Sequence, residues 1–315
     1  MTPILKVENM CKYYQTKKSF LSKASDCVRA VDGVSFELYE GETLGLVGES
    51  GCGKTTIGKQ LVGLEHPTSG TIDYCGNDFS RTDIQMVFQD PYSSLNPRKH
   101  IYEILSQPML YHKISTADTI EKDLERLLDM VGLPKQVLGR YPKEFSGGQR
   151  QRIGIAKALS LNPKILVCDE PVSALDVSVQ AQVLNLLKSL QRDLKLTSIF
   201  IGHGLSAVRY VSDRIAVMYL GKIVEIGEAE NLFSNPVHPY TKALILASPI
   251  PDPEIGKKEQ SILQGEIGSN VNPPSGCRFH PRCPYATERC KMEEPKLMQC
   301  GDRKVACHFA EEFMK

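Results

Sequence analysis

The sequence predicts an α/β fold built around a parallel sheet, and three stretches support that prediction. The first is the loop 48–56, Gly-Glu-Ser-Gly-Cys-Gly-Lys-Thr-Thr, which follows the apolar run 43–47 and precedes a helix-like stretch. The second is the run 165–170, four apolar residues followed by two carboxylates, which is typical of a buried parallel strand. The third is a helix-like segment, 177–194, that leads directly into a strand-like segment, 197–201.

The elements before residue 90 are mostly strands. Their apolar residues alternate with polar ones, as in strands with one buried face. A polar stretch, 15–26, predicts a surface loop, and the stretch 57–64 predicts the helix after the glycine-rich loop. The strand-like segments of this half are 4–8, 34–39, 70–74 and 84–88.

After residue 90 the pattern changes to helical. Residues 90–142 carry apolar residues at helical spacing, such as Leu124, Leu127 and Leu128, and contain several prolines. We therefore expect a helical insertion before the chain returns to the sheet. The later segments are helix-like at 153–161, strand-like at 214–219 and 222–226, and helical again after residue 228.

The loop 48–56 has the strand, glycine loop and helix context of a phosphate-binding loop. Gly48, Gly51 and Gly53 allow the backbone N–H groups to point inward, and the following helix adds its positive dipole end. Lys54 is expected to reach the β- and γ-phosphates, and the Thr55 hydroxyl to bind Mg²⁺.

Polar residues near strand ends and helix starts complete the candidate site. Asp169 is expected to hold Mg²⁺ directly or through water, and Glu170 to accept a proton from the attacking water. Ser146 and the two glycines after it precede a helix, which suits anion binding as well as an ordinary cap. Alone, His203 would more often be structural, and Tyr14 more often packed than stacked on adenine.

Composition limits the function classes. At 315 residues, about two domains are expected. Lys plus Arg number 38 against 37 Asp plus Glu, so no overall positive field favours nucleic acid. No window approaches 18 apolar residues, and the N-terminus lacks the pattern of a secretory signal. We therefore expect a cytoplasmic protein, soluble or peripheral to a membrane.

Ten cysteines are present, and half of them fall within 31 residues. In the cytoplasm such clustering favours metal binding over disulfides. Their spacing fits neither a paired zinc ribbon nor the known ferredoxin patterns. Zinc, an iron–sulfur cluster and unligated thiols therefore all remain open from spacing alone. The clustered residues are Cys277, Cys283, Cys290, Cys300 and Cys307.

Together, these motifs resemble the ATPase subunit of an ABC transporter. The matching segments are the loop 48–56, Gln89, Ser-Gly-Gly-Gln at 146–149, the run 165–170, Ser-Ala-Leu-Asp at 173–176 and His203. Their order and spacing match over roughly residues 4–250. The Ser-Gly-Gly-Gln segment separates this family from kinases, GTPases and helicases with the same loop.

The resemblance implies a P-loop NTPase fold with a helical subdomain at about 90–160. It implies a head-to-tail dimer in which each ATP lies between one subunit's phosphate loop and the other's 146–149 segment. The implied catalytic residues are Glu170, His203, Gln89 and Lys54, and the implied Mg²⁺ ligands are Thr55, Gln89 and Asp169. The implied ATP-binding residues are Tyr14, Gly48, Ser50, Gly51, Gly53, Lys54, Thr55, Thr56, Gln89, Ser146, Gly148, Gln149, Asp169 and Asp176.

Two residues depart from the general family pattern. Phe145 replaces a leucine before the Ser-Gly-Gly-Gln segment, which changes nothing at the phosphate. Gly204 follows His203 where an aspartate is common, and a flexible neighbour is expected to loosen the histidine.

The last third resembles the C-terminal extension of dipeptide and oligopeptide importer ATPases. Residues 236–253 and 272–284 carry this resemblance, which nickel importers partly share. It implies an ATPase domain over 1–235 and a Cys-rich extension over 236–315. For the cysteines it favours a [4Fe-4S] cluster on Cys277, Cys283, Cys290 and Cys307, with Cys300 spare and Zn²⁺ as the alternative.

The implied partners are a second, sister ATPase subunit, two transmembrane permease subunits and an extracytoplasmic peptide-binding protein. The chain would then lie peripherally at the cytoplasmic face of the membrane, with peptide as the leading substrate and nickel chelate as the second.

The competing interpretations are an ABC-type ATPase acting on nucleic acid or the ribosome, and a P-loop small-molecule kinase. The near-zero net charge and the single ATPase unit argue against an ATPase that acts on nucleic acid or the ribosome. The Ser-Gly-Gly-Gln segment at 146–149 argues against a small-molecule kinase.

Overall fold

The structure is a computed structural model of the chain, and it describes residues 2–15, 27–76, 79–247 and 268–314. Of the surface loop predicted at 15–26, only Gln15 is among these residues. The strands are β1 Pro3–Gln15, β2 Cys27–Tyr39, β3 Thr43–Val47, β4 Ser69–Tyr74, β5 Ile84–Val87, β6 Ile165–Asp169, β7 Thr197–Ile201, β8 Arg214–Tyr219, β9 Lys222–Glu228, β10 Met298–Cys300 and β11 Arg303–Val305.

The helices connect these strands and cover the sheet. They are α1 Lys54–Leu61, α2 Pro91–Ser94, α3 Ile101–Tyr111, α4 Ile120–Met130, α5 Gly147–Leu159, α6 Val177–Leu194, α7 Leu205–Val211, α8 Ala229–Ser234, α9 Pro239–Leu246, α10 Glu288–Met292 and α11 Ala310–Phe313. None of the described helices is both long and apolar enough to cross a membrane.

The main sheet has eight strands in the order β10-β11-β9-β8-β3-β7-β6-β5. Its part from β8 to β5 is parallel, while β9 and the C-terminal hairpin run antiparallel to their neighbours. Every residue of β3 and of β6 is buried. Continuous apolar strands of this kind form where both faces of a parallel sheet are covered. The predicted α/β core is confirmed.

A second, antiparallel sheet of three strands, β2-β1-β4, packs beside the main sheet. Val34 and Phe36 of β2 share one apolar core with Leu44 and Leu46 of β3 and with Ile57 of α1. This packing fixes α1, and therefore the loop before it, between the two sheets.

Several element boundaries differ from the sequence prediction, and β2 starts at Cys27 instead of residue 34. β1 continues to Gln15 instead of ending at residue 8, because bulges let it pair with β2 and β4 despite its irregular pattern. Tyr14 is therefore a strand residue. The helix after the glycine-rich loop begins at Lys54 and ends at Leu61, where Gly63, with φ of 72°, closes it. The helix predicted at 153–161 starts earlier, at Gly147, because Ser146 caps it.

Between β5 and β6 the described chain forms only helices, 3₁₀ turns and loops. α3 and α4 pack on each other and on α5. The amphipathic face of α4 supplies Leu124, Leu127 and Leu128 to this core, as their spacing predicts. Pro108 lies inside α3.

The C-terminal residues add to the main sheet. β11 pairs with β9, matching Val305 to Glu225. The Glu225 side chain is fully buried, and its Oε1 lies 3.3 Å from Nη1 of Arg303. The same carboxylate accepts the N–H groups of Val237 and His238 at the start of α9. Residues 298–305 therefore extend the main sheet directly.

Candidate nucleotide-binding site

The glycine-rich loop joins β3 to α1. Its glycines at 48, 51 and 53 all have positive φ, of 150°, 78° and 107°. A Cβ on Gly48 would come within 2.2 Å of the Met218 carbonyl oxygen, and one on Gly53 within 2.1 Å of the Ala30 carbonyl oxygen. Only glycine therefore fits at these two positions, and the loop can turn its amides toward an anion at the start of α1.

Lys54 lies within this loop and is almost fully buried, at 4% exposure. Its Nζ donates to the carbonyl oxygens of Gly48 at 2.8 Å and Glu49 at 3.1 Å. Backbone oxygens of the loop thus place the ammonium group beside the amides expected to receive phosphate. Ser50 and Thr56 complete the loop.

Two of the predicted Mg²⁺ ligands meet at the end of β6. Thr55 Oγ1 donates to Asp169 Oδ1 at 2.9 Å, and Asp169 is 4% exposed. Burial raises the pKa of Asp169, and the hydrogen bond from Thr55 opposes that shift. A hydroxyl and a carboxylate held together in this way form part of an oxygen ligand set for a hard divalent cation.

Glu170 is where three distant segments meet. Its Oε2 accepts from Nε2 of Gln89 at 2.8 Å, and its Oε1 contacts Nε2 of His203. Its backbone φ is 47°, a left-handed conformation, and its N–H donates to the Ile201 carbonyl at 2.9 Å. The structure thus brings the three residues of the predicted hydrolytic group together. Gly204 has φ of −77°, and His203 still reaches Glu170 with a glycine after it.

Tyr14 lies at the far end of β1, beside the start of α1. Its hydroxyl contacts Glu65, and Thr56 is also within reach. Burial, followed by the hydrogen bond to Glu65, raises the pKa of Tyr14 to about 12. The ring is 37% exposed, with Lys12 Nζ 5.3 Å from its centroid. An accessible aromatic surface is therefore available near the loop for a base to stack on.

The 146–149 segment forms a helix cap on the surface. Ser146 Oγ accepts the N–H of Gln149 at 3.3 Å, and Gln149 Oε1 accepts the N–H of Ser146 at 3.0 Å. Both residues are exposed, whereas Gly148 is buried so closely that a Cβ would lie 2.3 Å from Val179. Asp176, also exposed, precedes α6. In the described part of the chain no hydrogen bond joins these four residues to the loop.

Four of the five clustered cysteines line one small cavity of about 10 Å³. These are Cys277, Cys283, Cys290 and Cys307. Burial raises the pKa of Cys277 and Cys307 to about 11 and also raises that of Cys283. Cys300 lies elsewhere, with its Sγ 3.3 Å from the Met314 sulfur.

Within the described residues, no group of three or more His, Cys, Asp or Glu side chains is arranged to hold a metal ion. The predicted cluster is therefore not supported at the level of ligand geometry. The four cysteines nevertheless line one cavity and Cys300 does not, and cysteine thiolates are the residue type that binds iron–sulfur clusters.

The sequence analysis missed residues of the extension that contact the loop. Arg282 pairs with Glu49, and Tyr240 and Asn270 bind loop backbone groups. Arg282 directly precedes Cys283, but no local pattern showed that this segment lies on the loop.

The chain matches two protein-family models. Residues 31–173 match the model described as ABC transporter, and residues 224–290 match the model described as oligopeptide/dipeptide transporter, C-terminal region. The two matches fall on the nucleotide site and on the segment that leads into the cysteine cavity.

Curated relatives carry peptide-transport names, and a solved structure of an ATP-binding cassette shares the fold. The putative oligopeptide transport ATP-binding protein YkfD of Bacillus subtilis is 53% identical, covering 93% of each chain. The di/tripeptide transport ATP-binding protein DppF of Pseudomonas aeruginosa is 46% identical over the whole of both chains. A dimeric post-hydrolysis structure of the ATP-binding cassette MJ0796, bound to ADP and Pi, is 27% identical with a TM-score of 0.62, covering 71% of this chain and 98% of that one.

Proposed function

The chain belongs to the ABC transporter family, in its group of oligopeptide and dipeptide transport ATP-binding proteins, and we propose that its ATP hydrolysis drives peptide import. The observation that supports catalysis most directly is the meeting of Gln89, Glu170 and His203 beside the Thr55–Asp169 pair. Every relative described above that has a named substrate is named for peptides, which favours peptide over nickel chelate.

Hydrolysis needs a positioned water and neutralised charge more than covalent chemistry. The Glu170 carboxylate accepts the proton of the attacking water, while Lys54 and His203 face the charge on the γ-phosphate. Gln89 donates to Glu170 through its Nε2, so its amide oxygen is left to meet the cation or the water. Mg²⁺, when held by Thr55, Asp169 and Gln89, would neutralise charge on the β- and γ-phosphates.

A dimer completes the site. Ser146 and Gln149 are exposed at the start of α5, and within the described residues they make only local hydrogen bonds, so a second subunit can approach them. We place Ser146, Gly148 and Gln149 of one subunit against the γ-phosphate bound by the other, with Asp176 contacting across the interface. The MJ0796 structure is dimeric, which supports the formation of a dimer. We propose a sister ATPase chain as the second subunit.

A groove next to Gln89 offers a contact for the membrane subunits. It lies between the end of β5 and α5, has a volume of about 240 Å³, and is lined by Phe88, Pro91 and Gln151 among others. Phe88 is 37% exposed although apolar. A permease segment bound here would contact Phe88, next to Gln89. Its binding would therefore be coupled to the hydrogen bond between Gln89 and Glu170.

For the cysteine cavity we propose a [4Fe-4S] cluster held by Cys277, Cys283, Cys290 and Cys307, with Zn²⁺ as the alternative. The four thiols line one cavity in a short segment with few apolar residues, and a metal centre bound by them would stabilise the fold of that segment. We treat residues 1–235 as the ATPase domain, with a helical subdomain at about 90–160, and 236–315 as the extension that carries the cluster.

Anaerobic purification tests the cluster directly. We expect a brown protein with bound iron and acid-labile sulfide, which Cys283→Ser loses and Cys300→Ser keeps. Stoichiometric zinc without iron would select the alternative, and a metal-free protein would reject both.

Co-purification tests the function. The chain is affinity-tagged and isolated from gently solubilised membranes of its own source. We expect two multi-spanning permeases and a second ATPase, and the associated extracytoplasmic binding protein to bind peptides in preference to nickel. Recovery of ribosomal or nucleic-acid-bound proteins instead would overturn the transport assignment and leave the ATP chemistry intact.

A further inference from the structure

The C-terminal extension touches the phosphate-binding loop at three points. Arg282 Nη1 lies 2.8 Å from Glu49 Oε2, and its Nη2 lies 3.0 Å from Glu49 Oε1. Tyr240 Oη accepts the N–H of Glu49 at 3.0 Å. Asn270 Nδ2 donates to the carbonyl oxygen of Gly51 at 2.6 Å. The loop that receives phosphate is therefore held from outside by residues more than 180 positions further along the chain.

The Arg282–Glu49 pair is the strongest of these contacts. Its two parallel N–H···O bonds fix both the distance and the orientation of the carboxylate. The Arg282 side chain is 5% exposed and that of Glu49 is 19% exposed, so water and salt screen the pair only weakly. Tyr219 packs beside it, with its ring centroid 5.8 Å from the guanidinium carbon.

Fixing Glu49 also fixes Lys54. The Glu49 carbonyl oxygen accepts from Lys54 Nζ at 3.1 Å, next to the Gly48 carbonyl at 2.8 Å. The Glu49 N–H is meanwhile turned toward Tyr240. A rotation of the Glu49 backbone would move the carbonyl oxygen that binds the Lys54 ammonium group.

We propose that Arg282 is a positioning residue for ATP binding, which acts through Glu49 on the loop and on Lys54. The loop contains three glycines with positive φ, so its backbone has many conformations to lose when it binds phosphate. Holding the loop in its receiving conformation beforehand reduces that loss and raises affinity.

Titration of the full-length chain with the fluorescent analogue mant-ATP and Mg²⁺ tests this proposal. We expect Arg282→Gln to raise Kd about tenfold, because it leaves the Glu49 carboxylate without its charged partner. KM for ATP should rise in parallel while kcat changes by less than about twofold, since the pair acts before chemistry. Arg282→Lys should bind with intermediate affinity, because an ammonium group keeps the charge but cannot form the paired bonds.

A matched control comes from the same extension. Arg289 pairs with Glu293 at the surface, where both side chains are 60% exposed, and it lies away from the loop. Arg289→Gln should therefore bind mant-ATP as the unaltered chain does.

A double-mutant cycle with Glu49→Gln separates positioning from a general loss of stability. If the pair acts as a unit, Glu49→Gln/Arg282→Gln should bind no more weakly than Arg282→Gln alone. Wild-type affinity in folded Arg282→Gln, or fully additive losses in the cycle, would overturn the proposal. If Arg282→Gln does not fold, Glu49→Gln alone tests the proposal. We expect it to bind mant-ATP about tenfold more weakly, and unchanged binding would contradict the proposal.

Discussion

At the scale of single residues, the site depends on side chains placed by backbone geometry. Glu170 leaves β6 with a left-handed φ of 47°, which is costly for a residue with a side chain. That turn directs its carboxylate to Gln89 and His203, one strand away on either side. A strained residue at this position is consistent with a role in chemistry.

Replacing Glu170 tests the assignment of the base. We expect Glu170→Gln to bind ATP about as tightly as the unaltered chain, because the amide keeps the size of the side chain and one acceptor oxygen for Gln89 or His203. Turnover should fall by about 10²- to 10⁴-fold, because the amide cannot accept the proton of water. Glu121→Gln, an exposed change in α4, is the control. Hydrolysis at the unaltered rate in Glu170→Gln would show that another group is the base.

Replacing Lys54 tests the phosphate contact. Lys54→Ala should weaken ATP binding itself by about 10- to 100-fold, because it removes a charge-assisted hydrogen bond to phosphate. Equilibrium titration with mant-ATP measures this loss. The exposed Lys122→Ala on α4 should bind normally. Retained affinity in Lys54→Ala would place the phosphates elsewhere.

At the scale of elements, the start of α9 joins the ATPase sheet to the cysteine cavity. His238 Nδ1 accepts the N–H of Tyr240 at 3.1 Å and so caps the helix. The ring is 1% exposed and lines the cavity with the four cysteines. Burial lowers the pKa of His238 to about 3, so it stays neutral in the native protein at neutral pH.

This buried histidine predicts a loss of stability on acidification. The ordinary pKa of histidine is 6.5. Between that pH and about pH 3, His238 is protonated in the unfolded chain and neutral in the native chain. The free energy of unfolding should therefore fall with pH by up to about 1.4 kcal/mol per unit from this group. His238→Asn keeps a side-chain acceptor for the helix cap and removes the titratable imidazole. The free energy of unfolding in urea should therefore change less between pH 7 and pH 5 in this variant.

The exposed His112→Asn should keep the original slope. An unchanged pH dependence in His238→Asn would show that other groups cause the acid sensitivity.

At the scale of the whole molecule, a buried ion pair ties the C-terminal hairpin to the sheet. Arg303 Nη1 reaches Glu225, and the same guanidinium donates to the carbonyl oxygens of Asn235 at 2.7 Å and Asn231 at 3.1 Å. β9, α8 and the hairpin therefore share one network. Removing Arg303 leaves the buried Glu225 carboxylate with backbone N–H groups but without its charged partner.

Arg303→Ala should lower the free energy of unfolding by about 3–5 kcal/mol. Chemical denaturation of the full-length chain measures this change. Lys304→Ala, exposed on the same strand, should stay within about 0.5 kcal/mol of the unaltered chain. A loss below about 1 kcal/mol in Arg303→Ala would mean that the pair does not hold the hairpin.

The sequence by itself determined the parts of this protein that depend on local chemistry. The ATP site is predicted from adjacent positions: glycines that adopt positive φ without steric cost, the lysine and threonine after them, and two carboxylates ending an apolar strand. The same local patterns predicted the α/β core. They failed at boundaries where bulges and caps decide, as in β1 and α5, and they did not predict the C-terminal strands β10 and β11.

Only the tertiary structure decided what meets across long separations. Gln89 reaches Glu170 from 81 positions away, and Arg282 reaches Glu49 from 233 positions away. The first contact follows from the register of neighbouring parallel strands, and the second from the way the extension folds back over β8 and the loop. Neither leaves a periodic trace in the sequence, because strand order and long-range packing are properties of the assembled sheet and its layers.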